Sequence, residues 1–326
     1  MKPNRREFLA GLGGLVGPYA LIGKLSATPQ RQTDQSKSGA GSAPAPNARI
    51  VLLGTKGGPP AGGSRSNPST LLLINEVAYV IDCGYGVSRQ LISAGVTLDR
   101  IRYIFITHHH SDHNLEYGPL LYNAWVTPKP PTVDVYGPAG LQDLTRAFFA
   151  YQKFDIDTRV GDEGMTDLRK LISVHELSAA GIVMQNDDVK VTSCRVRHPP
   201  IIEAYAYRFD AKERSVVISG DTAYAPELAQ FATGADVLVH EAMYVPAIDA
   251  LTRRATNASR LREHLLASHT STEDVGRIAA EAGVKTLVLS HLIPGDDPSI
   301  TDEQWSEGAR KYFKGRVIVG RDLMEI

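Results

Sequence analysis

The chain has 326 residues, 43% hydrophobic and 22% charged, which is ample apolar material for a globular core and excludes a wholly disordered chain. A formal net charge of −1 gives no global electrostatic pull on nucleic acid, and two cysteines exclude a disulfide scaffold. Asn4-Arg5-Arg6-Glu7-Phe8-Leu9 is close to a twin-arginine export signal. The uncharged, Gly-rich stretch from Phe8 to Gly23 follows it, then Lys24 and the small residues Ser26-Ala27. Residues 1–27 are therefore expected to engage the twin-arginine machinery, to be removed, and to leave the protein in the periplasm. Their loss leaves 31 basic against 35 acidic residues, a net charge of −4. Residues 28–48 are rich in Gln, Ser, Gly, Ala and Pro and read as a disordered linker, so the folded domain is expected over 49–326.

From Arg49 short strands alternate with helices. Arg49 to Leu53 reads as a strand, and Thr70 to Ile74 with Val77 to Ile81 as a hairpin turning at Asn75-Glu76. Val87 to Ala94 reads as a helix stopped by Gly95, and Ile101 to Ile106 as a buried strand. Gly118 to Val126 is expected to be helical, Thr132 to Tyr136 a strand, and Pro138 to Tyr151 a helix with proline in its first turn. Further strands are expected at Val189 to Val196, Ala204 to Phe209, Ser215 to Ser219, Val237 to His240 and Thr286 to Leu289. A helix capped by Ser271 is expected over Thr272 to Ala282, and two short strands at Arg316 to Val319 and Leu323 to Ile326. No repeat is visible in the sequence. Two strand-rich halves with flanking helices predict an α/β sandwich, two packed sheets with helices outside.

The chemistry gathers directly after the Ile101 to Ile106 strand, in Thr107-His108-His109-His110-Ser111-Asp112-His113. His108-x-His110-x-Asp112-His113 presents the mixture of nitrogen and oxygen ligands that a pair of zinc-like ions takes. Two ions need more donors, and three stand just past other apolar strands: His198 before Pro199-Pro200, Asp221 after Gly220, and His291 after Ser290. Gly220 is expected to allow close backbone approach to a metal. Cys83 and Cys194 lack a metal-binding spacing, and a bridge between them stays open.

With these residues in place, the sequence from Ile50 onward resembles the metallo-β-lactamase superfamily. The resemblance implies an αββα sandwich with the site at one edge of both sheets. It implies His108, His110 and His198 on one ion, Asp112, His113 and His291 on a second, and Asp221 bridging them. Asp82 also matches a recurrent family position and is expected to orient a ligand. Leu53-Gly54-Thr55, Ser66-Asn67-Pro68-Ser69, His240-Glu241-Ala242, His269-Thr270-Ser271 and Val319-Gly320-Arg321-Asp322 resemble the ribonuclease Z and arylsulfatase-like branch. That branch implies two Zn2+ ions, with Mn2+ or Fe2+ as alternatives. Its chemistry is hydroxide attack on a phosphodiester or related ester, with Asp112 in the catalytic set, His269 protonating the leaving oxygen and Glu241 holding His269.

Three readings of substrate stay open: a phosphodiester, an aryl sulfate in the arylsulfatase-like alternative, and a lactam or lactone. The region corresponding to the basic substrate-gripping arm of ribonuclease Z is Gln152 to Lys170, with four basic and five acidic residues. Arg253, Arg254, Arg260 and Arg262 read as a solvated helix face near His269 that could meet an anion. A small anionic ester is accordingly expected as substrate and nucleic acid is not, with a homodimer left open. His109 is left without a role, and His175, His240 and His264 without a partner, His240 being expected to point away from the site.

Overall fold

The computed structural model describes residues 48–326. The expected export signal and all but the last residue of the expected linker lie outside these residues; Ala48 already begins the first strand. The first half of the domain contains β1 (Ala48–Gly54), β2 (Ser69–Ile74), β3 (Val77–Ile81), α1 (Val87–Ser93), β4 (Ile101–Phe105), α2 (Ser111–Asn114), α3 (Tyr117–Trp125), β5 (Val133–Gly137), α4 (Leu141–Tyr151), α5 (Lys153–Asp162) and β6 (Ile172–Glu176). The second contains β7 (Gly181–Gln185), β8 (Val189–Arg195), β9 (Tyr205–Ala211), β10 (Ser215–Ile218), α6 (Pro226–Phe231), β11 (Val237–Met243), α7 (Ile248–Arg254), α8 (Leu261–Ser268), α9 (Thr272–Ala282), β12 (Thr286–Ile293), α10 (Asp302–Arg310), β13 (Arg316–Val319) and β14 (Met324–Glu325).

Two seven-stranded mixed sheets result, ordered β14-β1-β2-β3-β4-β5-β6 and β13-β12-β11-β10-β9-β8-β7. The β1-to-β6 and β8-to-β13 series repeat one pattern, two antiparallel pairings followed by three parallel ones. The repeat absent from the sequence is thus present in the topology.

Strand alternation sorts the apolar side chains into three layers. In β1, Ile50 and Leu52 enter the core between the sheets, where Tyr79, Phe105, Tyr207 and Val288 meet them. Val51 and Leu53 face the other way, into the layer shared with Leu91, Leu120 and Leu141 of α1, α3 and α4. A matching outer layer joins Leu238 and Leu287 to Leu228, Val275, Ile278, Ala282 and Trp305 of α6, α9 and α10. Burial of each such Leu or Ile contributes roughly 1.5–3 kcal/mol. Helix α9 shows the local logic: Ser271 accepts the Asp274 N–H, residues 275, 278, 279 and 282 face the core, and Gly283 ends the helix at φ +63°.

Several expected elements shift. Helix α4 begins at Leu141 rather than Pro138, because Gly140, at φ +98°, is its cap. Strands β11 and β12 run past His240 and Leu289 to Met243 and Ile293, carrying Glu241 and His291 inside strands. The face expected to hold four arginines is two helices, α7 and α8, joined by a turn. Cys83 and Cys194 are both free thiols, and burial pushes the Cys83 thiol well up. Among the described residues no helix is long and apolar enough to cross a membrane.

Candidate metal centre and active site

The seven expected donors come together where loops leave the C-terminal ends of β4, β8 and β10 and meet the end of β12. Asp112 and His113 are held on the short helix α2. Gly220 sits at φ +60°, and a Cβ there would lie 2.9 Å from the Tyr205 carbonyl and 3.0 Å from Thr107. Its freedom therefore allows the chain after β10 to pack closely on β9 and on Thr107 just past the end of β4. His291 (φ +42°) and Asp82 (φ +61°), both at the site, occupy the left-handed region that non-glycine residues rarely adopt.

Two four-donor sets share Asp221: His108, His110, His198 and Asp221, and Asp112, His113, Asp221 and His291, all donor atoms within each set lying within 4.8 Å of one another. In the first, His110 Nδ1 lies 3.1 Å from His108 Nε2 and 3.0 Å from His198 Nε2. Asp221 Oδ2 is 3.9 Å from both of those Nε2 atoms. In the second, His113 Nε2 lies 3.2 Å from Asp221 Oδ1, and His291 Nε2 lies 3.0 Å from Asp221 Oδ2 and 3.5 Å from Asp112 Oδ2. Ligands about 2.0–2.1 Å from a tetrahedral ion stand roughly 3.3 Å apart, so both sets have the spacing of a cation's coordination shell. The hydrogen bonding agrees. His113 Nε2, Asp221 Oδ1 and both ring nitrogens of His291 are buried without a hydrogen-bond partner among the described residues. Leaving such a group unmet costs about 1–3 kcal/mol, and a cation at the second set would satisfy His113 Nε2, Asp221 Oδ1 and one of the two His291 nitrogens.

The supporting contacts fix each ring. Asp82 accepts from His113 Nδ1 (2.8 Å) and from the Thr107 N–H (2.8 Å), as expected of it, leaving His113 Nε2 for the site. His198 Nδ1 donates to the Ser268 carbonyl at 3.0 Å, which sets its free Nε2 toward His110. The Gly58 N–H donates to Asp112 Oδ2 at 3.0 Å, and Asn67 Nδ2 holds the Gly58 carbonyl at 2.7 Å. Asp322 accepts from Thr55 N–H, Thr55 Oγ1 and Ser66 N–H, tying together three of the separated motifs noted in the sequence.

Burial dominates the first set and holds its imidazoles neutral: His108 well below its usual range, His110 down to about 4, His198 also lowered. In the second set burial opposes charge but the carboxylates outweigh it. Asp221, with Asp82 and Asp112, raises His113, and Asp221 and Asp112 push His291 up to about 10. Burial likewise opposes the two carboxylates, yet His113 and His291 hold Asp112 down at about 2 and Asp221 lower than usual.

Above these sets lies a cleft of about 540 Å³ walled by Gly57 to Pro60 on one side and α7 and α8 on the other. His269 faces it, buried, with Nδ1 3.0 Å from Glu241 Oε1, which also accepts the Thr222 N–H at 2.9 Å. Burial opposes the imidazolium of His269, but Glu241 outweighs it and raises the His269 pKa. His109 is turned away, bonded to the Ala139 carbonyl and Asn114. His175 pairs with Asp134 on the far edge. His240 shares the strand parity of Leu238, which faces the outer helices. His264, unassigned in the sequence, lines the cleft with its ring about 6 Å from those of His110, His198 and His269. Its only sequence signal is the i, i+4 spacing to Ser268, whose hydroxyl meets its Nδ1 at 3.3 Å.

Comparison with known proteins matches residues 78–292 to the beta-lactamase superfamily domain. Ribonuclease Z of Mycobacterium bovis is 32% identical over 280 residues, covering 85% of this chain and 97% of the relative, and that of Mycobacterium avium is 31% identical over the same coverage. The short form of human tRNase Z superposes with a TM-score of 0.62 at 21% identity, covering 85% of this chain and 98% of that one. Zn2+-bound PqqB from Methylobacterium extorquens superposes at 0.61 with 12% identity, covering 85% and 99%. The chain belongs to the metallo-β-lactamase superfamily, in the company of the ribonuclease Z proteins. It is a metal-dependent hydrolase of ester bonds, phosphodiesterase-like, with His/Asp clusters suited to divalent cations. The expectation that nucleic acid is no partner is overturned by these relatives, which are named for action on RNA. It rested on the balanced charge of Gln152 to Lys170 and on the chain's net charge, neither of which describes the surroundings of one cleft.

Proposed function

We propose that the protein is a dinuclear zinc phosphodiesterase that cleaves RNA, with His108, His110, His198 and Asp221 holding one ion and Asp112, His113, Asp221 and His291 the other. The observation carrying this reading is the pair of buried donor sets joined through Asp221, with the Glu241–His269 pair beside them on one cleft. When bound, the ions supply an acidified water as nucleophile at neutral pH and offset charge on the phosphoryl oxygens. Nitrogen-rich sets with carboxylate suit Zn2+, and Mn2+ or Fe2+ could occupy the same donors.

The chain's own residues then set the reaction's course. The Gly58 N–H fixes the Asp112 carboxylate, and Asp82 fixes His113. Glu241 accepts a hydrogen bond from His269 Nδ1–H, leaving Nε2 as the ring's remaining donor beside the cleft. The raised His269 pKa keeps that proton in place at neutral pH, ready for the leaving oxygen. No gripping arm is proposed at Gln152 to Lys170, since three of its four bases are held by its own acids: Lys153 by Asp157, Arg159 by Asp155 and Glu163, Arg169 by Asp157 and Asp167.

The test is turnover of bis(p-nitrophenyl) phosphate, p-nitrophenyl sulfate, a lactone, a cephalosporin and a short RNA, alongside metal analysis. Phosphodiester turnover with two equivalents of zinc is expected; preference for the sulfate would sink the reading. His269→Ala should lower cleavage of RNA, whose leaving group is an alkoxide, by about 10²–10⁴ and of the aryl ester far less. We also propose export through the Arg5-Arg6 pair. Replacing both with Lys should retain the protein in the cytoplasm, and unchanged fractionation would refute export by this route.

A further inference from the structure

We propose that the α7–α8 turn is the surface that grips the backbone of single-stranded RNA entering the cleft, an inference that rests on the phosphodiesterase reading. Helices α7 and α8 pack on a small core of their own, Ile248 and Leu265 with Met243 and Ile293, and form a cleft wall through Leu251, Ala258 and Leu261. Interleaved with those wall residues are Arg253, Arg254 and Arg260, all exposed. None of the three makes an ion pair or hydrogen bond through its guanidinium among the described residues. Asp249 and Asp297 feel Arg253 and Arg254 only at a distance. Arg262, one turn further on, differs: it is paired with Asp249 at 2.7 Å.

That lack of partners sets these arginines apart from most of the surface. Arg49, Arg146, Arg195, Arg197, Arg277 and Arg321 each hold a carboxylate. From Gln152 to Lys170 the bases are likewise neutralised internally, apart from Lys170. A cleft of about 540 Å³ cannot contain a whole RNA strand, so phosphates flanking the cleaved linkage lie on the rim. Three free guanidinium forks there match phosphate in charge and in bidentate geometry. The α7–α8 side of the cleft thus presents unpaired positive charge next to its lining residues, although the chain as a whole carries −1.

The test uses the zinc-loaded protein and a fluorescein-labelled, phosphorothioate-linked RNA of about ten nucleotides, which keeps one charge per linkage and resists cleavage. Its affinity is measured by anisotropy between 50 and 200 mM salt. Together, Arg253→Ala, Arg254→Ala and Arg260→Ala should weaken binding roughly tenfold at the lower salt and reduce the slope of log affinity against log salt by about 2, near 0.7 per lost contact. Turnover of bis(p-nitrophenyl) phosphate should be unchanged. As a control, Arg89→Ala, Arg310→Ala and Arg316→Ala remove three exposed arginines that lack carboxylate partners elsewhere, and should leave binding intact. Equal loss in the control triple, or an unaltered slope in the first, overturns the proposal. Failure of the unmutated protein to turn over bis(p-nitrophenyl) phosphate would instead strike the phosphodiesterase reading itself.

Discussion

The two donor sets meet at Asp221 yet are built from opposite chemistry. The first is three imidazoles and one carboxylate, buried so that its rings stay neutral. The second has two carboxylates and two imidazoles, which favour their charged forms in the absence of a cation. A cation entering the first set meets neutral rings, whereas one entering the second must displace protons from the charged rings of His113 and His291. The fold's internal repeat places an aspartate after the third strand of each series, Asp82 after β3 and Asp221 after β10. One of them orients a ring and the other is shared between the sets, so similar positions serve different ends.

Removing the shared residue tests whether the sets depend on each other. Asp221→Ala should take metal content below one equivalent and reduce phosphodiester turnover on the order of 10³ or more, since it takes a donor from both sets. Retention of two equivalents would show that each set stands alone and would break the comparison.

A smaller, one-sided effect is expected at Asp82. Asp82→Asn removes the charge beside His113 while keeping its shape and should cost about 10–100-fold in affinity for one metal equivalent, leaving the other unchanged. Competition titration with a chromophoric chelator resolves the two equivalents. Parallel weakening of both would mean that the ring Asp82 holds is not confined to the second set.

The chain's strands were legible because apolar, β-branched runs such as Ile101 to Ile106 end in donors or glycines. The donors were legible for the same reason, each standing where such a run stops. Strands β6 and β7 were not, because they lie at sheet edges: Ile172–Glu176 and Gly181–Gln185 bury no residue fully and show no buried face. Glu241 and His291 were read as lying past their strands because a polar residue usually ends an apolar run. Here both are buried strand residues, facing a polar site. The tether at Asp322 needed coordinates, since its partners Thr55 and Ser66 stand more than 250 residues away.

The weakest effect to measure, and the one that speaks most directly to the contrast between the sets, is the pH dependence of stability in chelator-treated protein. For the first set the folded pKa lies below the unfolded value near 6.5, at about 4 for His110, so its contribution is present above pH 6.5 and lost as pH falls toward 4. For His291 the folded value is about 10, so its contribution is present below pH 6.5 and lost as pH rises toward 10. The lowered Asp112 acts only below about pH 4 and leaves this window undisturbed. Thermal melts should therefore give a Tm maximum near pH 6–7, with a fall of roughly 5 °C by pH 9.5. Zinc should flatten the alkaline limb, because the cation replaces the protons that His113 and His291 would otherwise carry. A metal-free Tm that holds level or climbs between pH 6.5 and 9.5 would mean that the carboxylates do not hold His113 and His291 protonated, and the distinction between the sets would be lost.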